Sequence, residues 1–401
     1  MESQSRIESW RAQVKQIKEA EKKKSLFTKI KPRLMRYSSF YSQLPILMAE
    51  IQPNEMSLIR KTDDTCRGIK KMLEKSFPNC EAIPFGSSVT GLALIDSDLD
   101  VYLLTNESIV DDNNSQTTIH GTEKIWTQKL IFREVKTCLY KNRNIIKNIV
   151  PIGSAITPVI KFHYIPTDTD VDITFKNSLG VHKSNLIKFC LNLDSRIKPL
   201  IMIIKFWGKE LHLTGGRKIT NYFVLMMIFY YLQQPDISLI PKINVLQSNC
   251  EKIIYEGWQV NFNQDYPKTT SNCNKTISQL LCGFYKFYST FDFTSRVICP
   301  LYGTAPLRND FLNSTLGQKY NFDFSGLTES ASLHDPIKLD YVIKGWSPIR
   351  LNNFIVACKQ AYEKCCQSSD NSLDMCVLLD MTLYENLVQP VHENLIHQED
   401  I

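Results

Sequence analysis

FGSSVTGLALIDSDLDVYLL, residues 85–104, decides how this chain is read. It contains Gly86-Ser87 and, eleven residues after Ser87, the pair Asp98 and Asp100. Val, Leu and Tyr follow the pair, so Leu99 to Leu104 reads as a buried strand. Residues i and i+2 of a strand face the same side. Asp98 and Asp100 therefore stand side by side, as hard oxygen ligands for Mg²⁺ must. The Gly-Ser turn supplies backbone N–H groups and a hydroxyl that can hold phosphate oxygens. Together these are parts for metal-assisted phosphoryl transfer. Either half alone is commonplace, because Asp-Leu-Asp recurs widely and Ser-Asp pairs cap turns. Their order, between apolar strands, carries the reading.

The chain has 401 residues, 43% of them hydrophobic, which predicts about two domains with real cores. No apolar run approaches 18 residues; the longest, Tyr222 to Leu232, is too short to span a bilayer. No apolar signal-peptide region opens the sequence. Twelve cysteines show no Cys-x-x-Cys spacing, which argues against a zinc ribbon or finger and for reduced thiols. The net charge of +6 is unevenly spread. Met1 to Arg36 holds eleven Lys or Arg and four Glu, a net of +7, whereas Cys365 to Ile401 holds seven acids and no Lys or Arg. The basic head, with Lys22-Lys23-Lys24, can contact an RNA backbone. A solvated or helical arm would have the same composition.

Outward from the opening stretch, Ala82 to Phe85 predicts a short strand before the Gly-Ser turn. Helices are predicted over Ile7–Glu21, Ser42–Ile59, Asp63–Phe77 and Lys124–Tyr140. Ser154 to Phe162 reads as a strand. The polar turn Ile165 to Asp170, of hairpin composition, leads into the strand VDITF. From Leu186 the pattern turns helical: Leu186–Leu193, Pro199–Leu211, Thr220–Leu232, Ile277–Tyr288 and Pro348–Cys366, with a polar, irregular Glu251 to Asn274.

A two-metal site needs a third carboxylate. Asp168, Asp170 and Asp172 compete for the place. Asp172 lies in an apolar strand, where an unpaired acid is costly. Asp168 and Asp170 fall in the predicted turn, where acids are cheap. Asp172 is therefore the choice, and in a strand Asp170 would share its face.

Gly-Ser followed by Asp-x-Asp resembles the nucleotidyltransferase superfamily of the polymerase β type. Downstream, VDITFKNSLGVHKSNLIKFCLNLDSRIKPLIMIIKFWGKEL narrows the resemblance to the non-canonical poly(A) polymerases and terminal uridylyltransferases. ITNYFVLMMIFYYLQ is most similar to the mitochondrial poly(A) polymerase branch, and LHDPIKLD resembles the family's short Asp-Pro-Phe motif. The resemblance implies an α+β fold, a polymerase β-type palm with a mostly helical second domain and the nucleotide in the cleft between them. The expected division is a basic arm 1–41, helices 42–78 packing on the helical domain, a catalytic domain 79–193, a helical domain 194–366 and an acidic tail 367–401.

The resemblance also implies roles. Asp98, Asp100 and Asp172 would be the catalytic carboxylates and hold Mg²⁺ or Mn²⁺. Gly86, Ser87, Lys205 and Lys209 would hold the triphosphate; the two lysines, four apart, share a helix face. Tyr222 falls where the family stacks an aromatic on the base, and Asn221 beside it where a polar side chain contacts the nucleotide. A ring in an apolar helix is otherwise core. Lys161 matches a family lysine near the RNA end. Lys183 replaces an Asn that approaches the ribose, Gly180 an Ala, and Lys338 an acid of the Asp-Pro motif. Uridylyltransferases carry a uracil-selecting His six residues after the Asp of that motif; counted from Asp335, that place is Tyr341. The expected partners are an RNA 3′ end and an NTP, ATP over UTP. No RNP-like strand, finger or KH loop is visible, so sequence selectivity would be low or supplied by a protein partner. A silent RNA- or protein-binding homologue and an oligonucleotide or cyclic-dinucleotide synthase are the rivals. Four glutamates, the last of them Glu21, do not suit a transit peptide, which places the chain in the cytoplasm, with the mitochondrion as alternative.

Overall fold

In the computed structural model the described residues are 25–387, without 106–125, 156, 216–217, 249, 268–271, 323, 325–329, 345–346, 368–372 and 385–386. The expected helix Ile7–Glu21, the Lys22-Lys23-Lys24 run and the end of the acidic tail lie outside them.

Five strands form the palm: β1 (Glu81–Phe85), β2 (Leu99–Leu104), β3 (Ile146–Ile152), β4 (Val159–Tyr164) and β5 (Thr169–Thr174). They run in the order β1-β2-β5-β4-β3, with β2 and β5 parallel at the centre and the other pairs antiparallel. On β2, Leu99, Val101 and Leu103 are buried in the palm core, as the two-residue period requires. The same core takes Val171 and Ile173 of β5 and Ile131, Val135 and Leu139 of the helix Gln128–Lys141. A second, larger core is helical. It is built on Ile197–Glu210, Asn221–Leu232, Ile277–Ser289 and Pro348–Cys366, the last as predicted.

Several boundaries differ from the sequence reading. The first helical hairpin breaks at Gln52-Pro53-Asn54, not after Ile59: Phe40–Ile51 ends there and Asn54 caps Glu55–Leu73 by accepting from the Ser57 N–H at 3.0 Å. The two helices also part company. Phe40, Leu47 and Ile51 join the helical core, whereas Cys66, Ile69 and Leu73 join the palm core. The expected strand Ser154–Phe162 is displaced to Val159–Tyr164, and β3 before it has no counterpart among the expected strands. Asp170 lies inside β5 rather than in the turn.

The helix Leu179–Leu191 begins earlier than expected and buries Leu186, Ile187 and Cys190 in the larger core. That core also includes a three-stranded sheet, Val297–Ile298, Ser332–His334 and Val342–Lys344, too short for a periodic signal. The irregular stretch contains a small hairpin, Ile254–Tyr255 with Trp258–Gln259. Part of the basic arm is structural: the helix Leu26–Leu34 buries Phe27, Ile30 and Leu34. Lys31 pairs with Asp380 at 2.5 Å, in a tail segment whose Met375, Leu378 and Leu379 are buried. Among the described residues no helix is long and apolar enough to cross a membrane.

Candidate active site

Between palm and helical domain lies a cavity of about 770 Å³. Asp98, Asp100 and Asp172 line it from the palm, with Gly86 and Ser87 beside them. Lys205, Lys209, Asn221 and Tyr222 line it from the helical side, as does Lys183. Nine of the ten site residues named from sequence thus face one space; Lys161 joins them through its bonds to the acids.

The carboxylates meet through strand register. Asp100 of β2 stands directly opposite Asp172 of β5 in the parallel ladder. Alternation puts both on the side away from the palm core. Burial, then the neighbouring charges of Asp172 and Asp98, push the Asp100 carboxyl up to about 7. Asp98 is raised by burial and by Asp172. Lys161, opposite Asp172 on β4, pairs with the Asp172 carboxylate and lies 3.9 Å from Asp98 Oδ2. Burial opposes its charge, but the bond to Asp172 and the nearby acids hold its ammonium above the usual lysine range. Asp170, on the same face, is engaged elsewhere: 67% of its side chain is exposed and Oδ1 lies 2.8 Å from His163 Nδ1.

As they stand, no three His, Cys, Asp or Glu side chains among the described residues are grouped closely enough to hold a metal ion. The donor set nonetheless fits a dication. Asp98, Asp100 and Asp172 are hard oxygen donors, and two of them are driven toward protonation by burial and mutual repulsion that a dication would relieve.

Gly86 has a specific reason to be glycine. Its φ is +74°, and a Cβ there would lie 2.2 Å from Asp100 Oδ2. Its N–H donates to Ser184 Oγ at 2.8 Å. Gly86→Ala should therefore either displace Asp100 or destabilise the fold by about 1–3 kcal/mol. Urea unfolding of the variant checks this, and an unchanged midpoint with Asp100 undisturbed would contradict it. Gly180 is explained likewise: a Cβ would lie 2.7 Å from the Phe85 ring, which occupies the space of the alanine expected there.

Lys205 interrupts an apolar helix, and the structure gives the reason. Its ammonium reaches into the cleft, donating to the Leu92 carbonyl at 2.6 Å. Burial brings its pKa down to about 8, against the pull of Asp100. Lys209, one turn on, pairs with Asp96, a partner the sequence reading does not name. Asn221 is exposed as the first residue of its helix, capped by Thr220. Tyr222 is only half-buried, unlike Phe223 to Leu232 after it, so it is not simply core. Tyr341 is not among the described residues lining the cleft; its ring carries the Lys338 ammonium at 5.3 Å and its carbonyl accepts the Asp335 N–H.

Comparison with known proteins follows the same outline. The family model for the central palm domain of the mitochondrial-like poly(A) RNA polymerases matches residues 40–192. The speckle targeted PIP5K1A-regulated poly(A) polymerase of Danio rerio is 27% identical over 337 residues, covering 75% of this chain and 42% of that protein. Terminal uridylyltransferase 7 of Homo sapiens is 25% identical over 301 residues, 72% of this chain and 18% of its own. The mitochondrial poly(A) RNA polymerase of Mus musculus is 28% identical over 282 residues, 66% of this chain and 48% of its own. The chain thus spans less than half the length of these relatives. The crystal structure of mtPAP in complex with ATPγS superposes with a TM-score of 0.73 at 20% identity, over 88% of this chain and 74% of that one. The Cid1 poly(U) polymerase superposes at 0.62 and 20% identity, over 81% and 93%.

Proposed function

We propose, for a chain that belongs to the family of non-canonical poly(A) polymerases and terminal uridylyltransferases, that it transfers nucleoside monophosphate from an NTP to the 3′-hydroxyl of RNA without a template. The observation that carries this is the placing of Asp100 opposite Asp172 across adjacent parallel strands, at the edge of a cavity that also presents Gly86-Ser87 and Lys205. Mg²⁺ or Mn²⁺ held by Asp98, Asp100 and Asp172 would supply charge neutralisation at the reacting phosphate. The protein's own groups do the rest. The buried, weakly basic Lys205 ammonium faces the triphosphate, with Lys209 one turn away. Tyr222 offers its ring to the base and Asn221 a hydrogen-bonding group beside it. Lys161, held by Asp172, stands at the carboxylates where the RNA end must arrive.

ATP is favoured over UTP. The reason is the missing imidazole at position 341, since Tyr341 makes no direct claim on the cleft. The speckle-targeted and mitochondrial relatives carry poly(A) polymerase in their names, and one relative is a uridylyltransferase.

The test is to incubate the protein with labelled oligo-RNA, each NTP separately, and Mg²⁺ or Mn²⁺. Laddered 3′ extension with ATP supports the reading. Absence of extension with every NTP favours a silent RNA- or protein-binding homologue, and products formed without RNA favour an oligonucleotide synthase.

The basic head is expected to bind RNA by charge alone. Because the helix Leu26–Leu34 is part of the core, the informative deletion is residues 1–24, with seven Lys or Arg against four Glu, a net of +3. Affinity should then fall for every RNA tested. The salt dependence should flatten by about 0.7 in log–log slope for each phosphate that the head neutralises. Unchanged affinity and slope would remove RNA from the role of that segment.

A further inference from the structure

Lys183 departs from the family pattern, and its surroundings say what it does. It stands on the helix Leu179–Leu191 and lines the cleft. Its ammonium pairs with Oδ2 of Asp335, 152 residues away, and lies 4.8 Å from the centre of the Tyr222 ring. Asp335 is fully buried. Its other oxygen accepts from the N–H groups of Ile337 at 3.0 Å and Lys338 at 2.9 Å. Burial and the Asp335 charge lift the ionisation of Tyr222 well above the usual tyrosine range. A buried carboxylate needs a cation, and Lys183 supplies it. An ammonium over an aromatic face is attracted to the ring quadrupole. Three side chains from distant parts of the chain are thus locked together at the nucleotide cleft.

We propose that Lys183 is a positioning residue: anchored on Asp335, it holds one face of the Tyr222 ring so that the other is presented to a nucleobase. This rests on the nucleotide-binding reading of the cleft given above. Lys183 is not a further phosphate-binding cation, because its charge is matched by a fully buried carboxylate, whereas the Asp96 partner of Lys209 is exposed. Lys205, by contrast, meets a neutral carbonyl.

Equilibrium binding of ATP and of inorganic tripolyphosphate to the full chain with Mg²⁺, followed by calorimetry, separates the possibilities. Lys183→Met should weaken ATP by about tenfold to a hundredfold, the range that base–aromatic stacking is worth. Tripolyphosphate, which has no base, should be affected less than about twofold, and Lys183→Arg should recover most of the ATP affinity. In a Tyr222→Ala background, Lys183→Met should add little, because its effect passes through the ring. Equal losses for ATP and tripolyphosphate, additive effects, or unchanged ATP affinity would each overturn the proposal.

Lys183→Met alone strands a buried charge, so Lys183→Met/Asp335→Asn keeps the site neutral and the fold testable. Wild-type ATP affinity in that pair also overturns the proposal. Unaltered protein that binds ATP but does not extend RNA refutes the proposed activity and leaves this inference standing. Protein that binds no ATP refutes both.

Discussion

Asp100→Asn should leave a folded protein that no longer extends RNA. Loss of a carboxylate at the centre of the acidic group removes the charge on which phosphoryl transfer relies, and a fall of at least about 10³-fold in rate is expected. Asp98→Ala should behave alike. The same Asp100→Asn substitution should raise the melting temperature of the metal-free protein at pH 8 by about 2 °C or more. The reason is the burial, and after it the like charges of Asp172 and Asp98, that push Asp100 up to about 7.

The sign follows from linkage. A carboxyl near 3.8 when unfolded and near 7 when folded favours the fold fully below about pH 4. That contribution is lost as pH rises through 7. The unaltered, metal-free protein should therefore lose stability between pH 6 and 8 more steeply than Asp100→Asn. Mn²⁺ should bind the unaltered protein more tightly over the same interval, since it competes with a proton. Melting curves at pH 6 and 8, with and without Mn²⁺, check all of this. Near-normal extension by a folded Asp100→Asn protein would end the proposed mechanism.

The two remaining acids of the fifth strand should separate cleanly. Asp172→Asn should reduce extension by about 10³-fold or more, because Asp172 faces Asp100 across the ladder and lines the cleft. Asp170→Asn should change the rate less than about threefold, because its exposed carboxylate is engaged with His163. Single-turnover rates of both variants decide it. A reversed order would move the third carboxylate to Asp170.

Those two aspartates also show where sequence reasoning reaches its limit. It prefers Asp172 because it puts Asp170 in a turn, yet both lie in one strand and on one face. What separates them is register and a histidine partner. Register is set by pairing between residues far apart in the chain, and no local pattern encodes it. The same holds for Gly86, whose glycine is demanded by a carboxylate fourteen residues on, and for Phe85, which fills the space over Gly180. It holds too for Asp96, which neutralises Lys209 across a span of 113 residues.

By itself the sequence determined the strand–turn–strand that carries Asp98 and Asp100, because alternation and turn chemistry act over a few residues. It also determined the helix face shared by Lys205 and Lys209, because the helical repeat places i and i+4 together. The tertiary structure alone decided that Leu26–Leu34 belongs to the core rather than to a free arm, since burial is a property of partners and not of composition. It alone brought Lys183, Tyr222 and Asp335 to one point, because a buried charge is satisfied only where the folded chain supplies its counterpart.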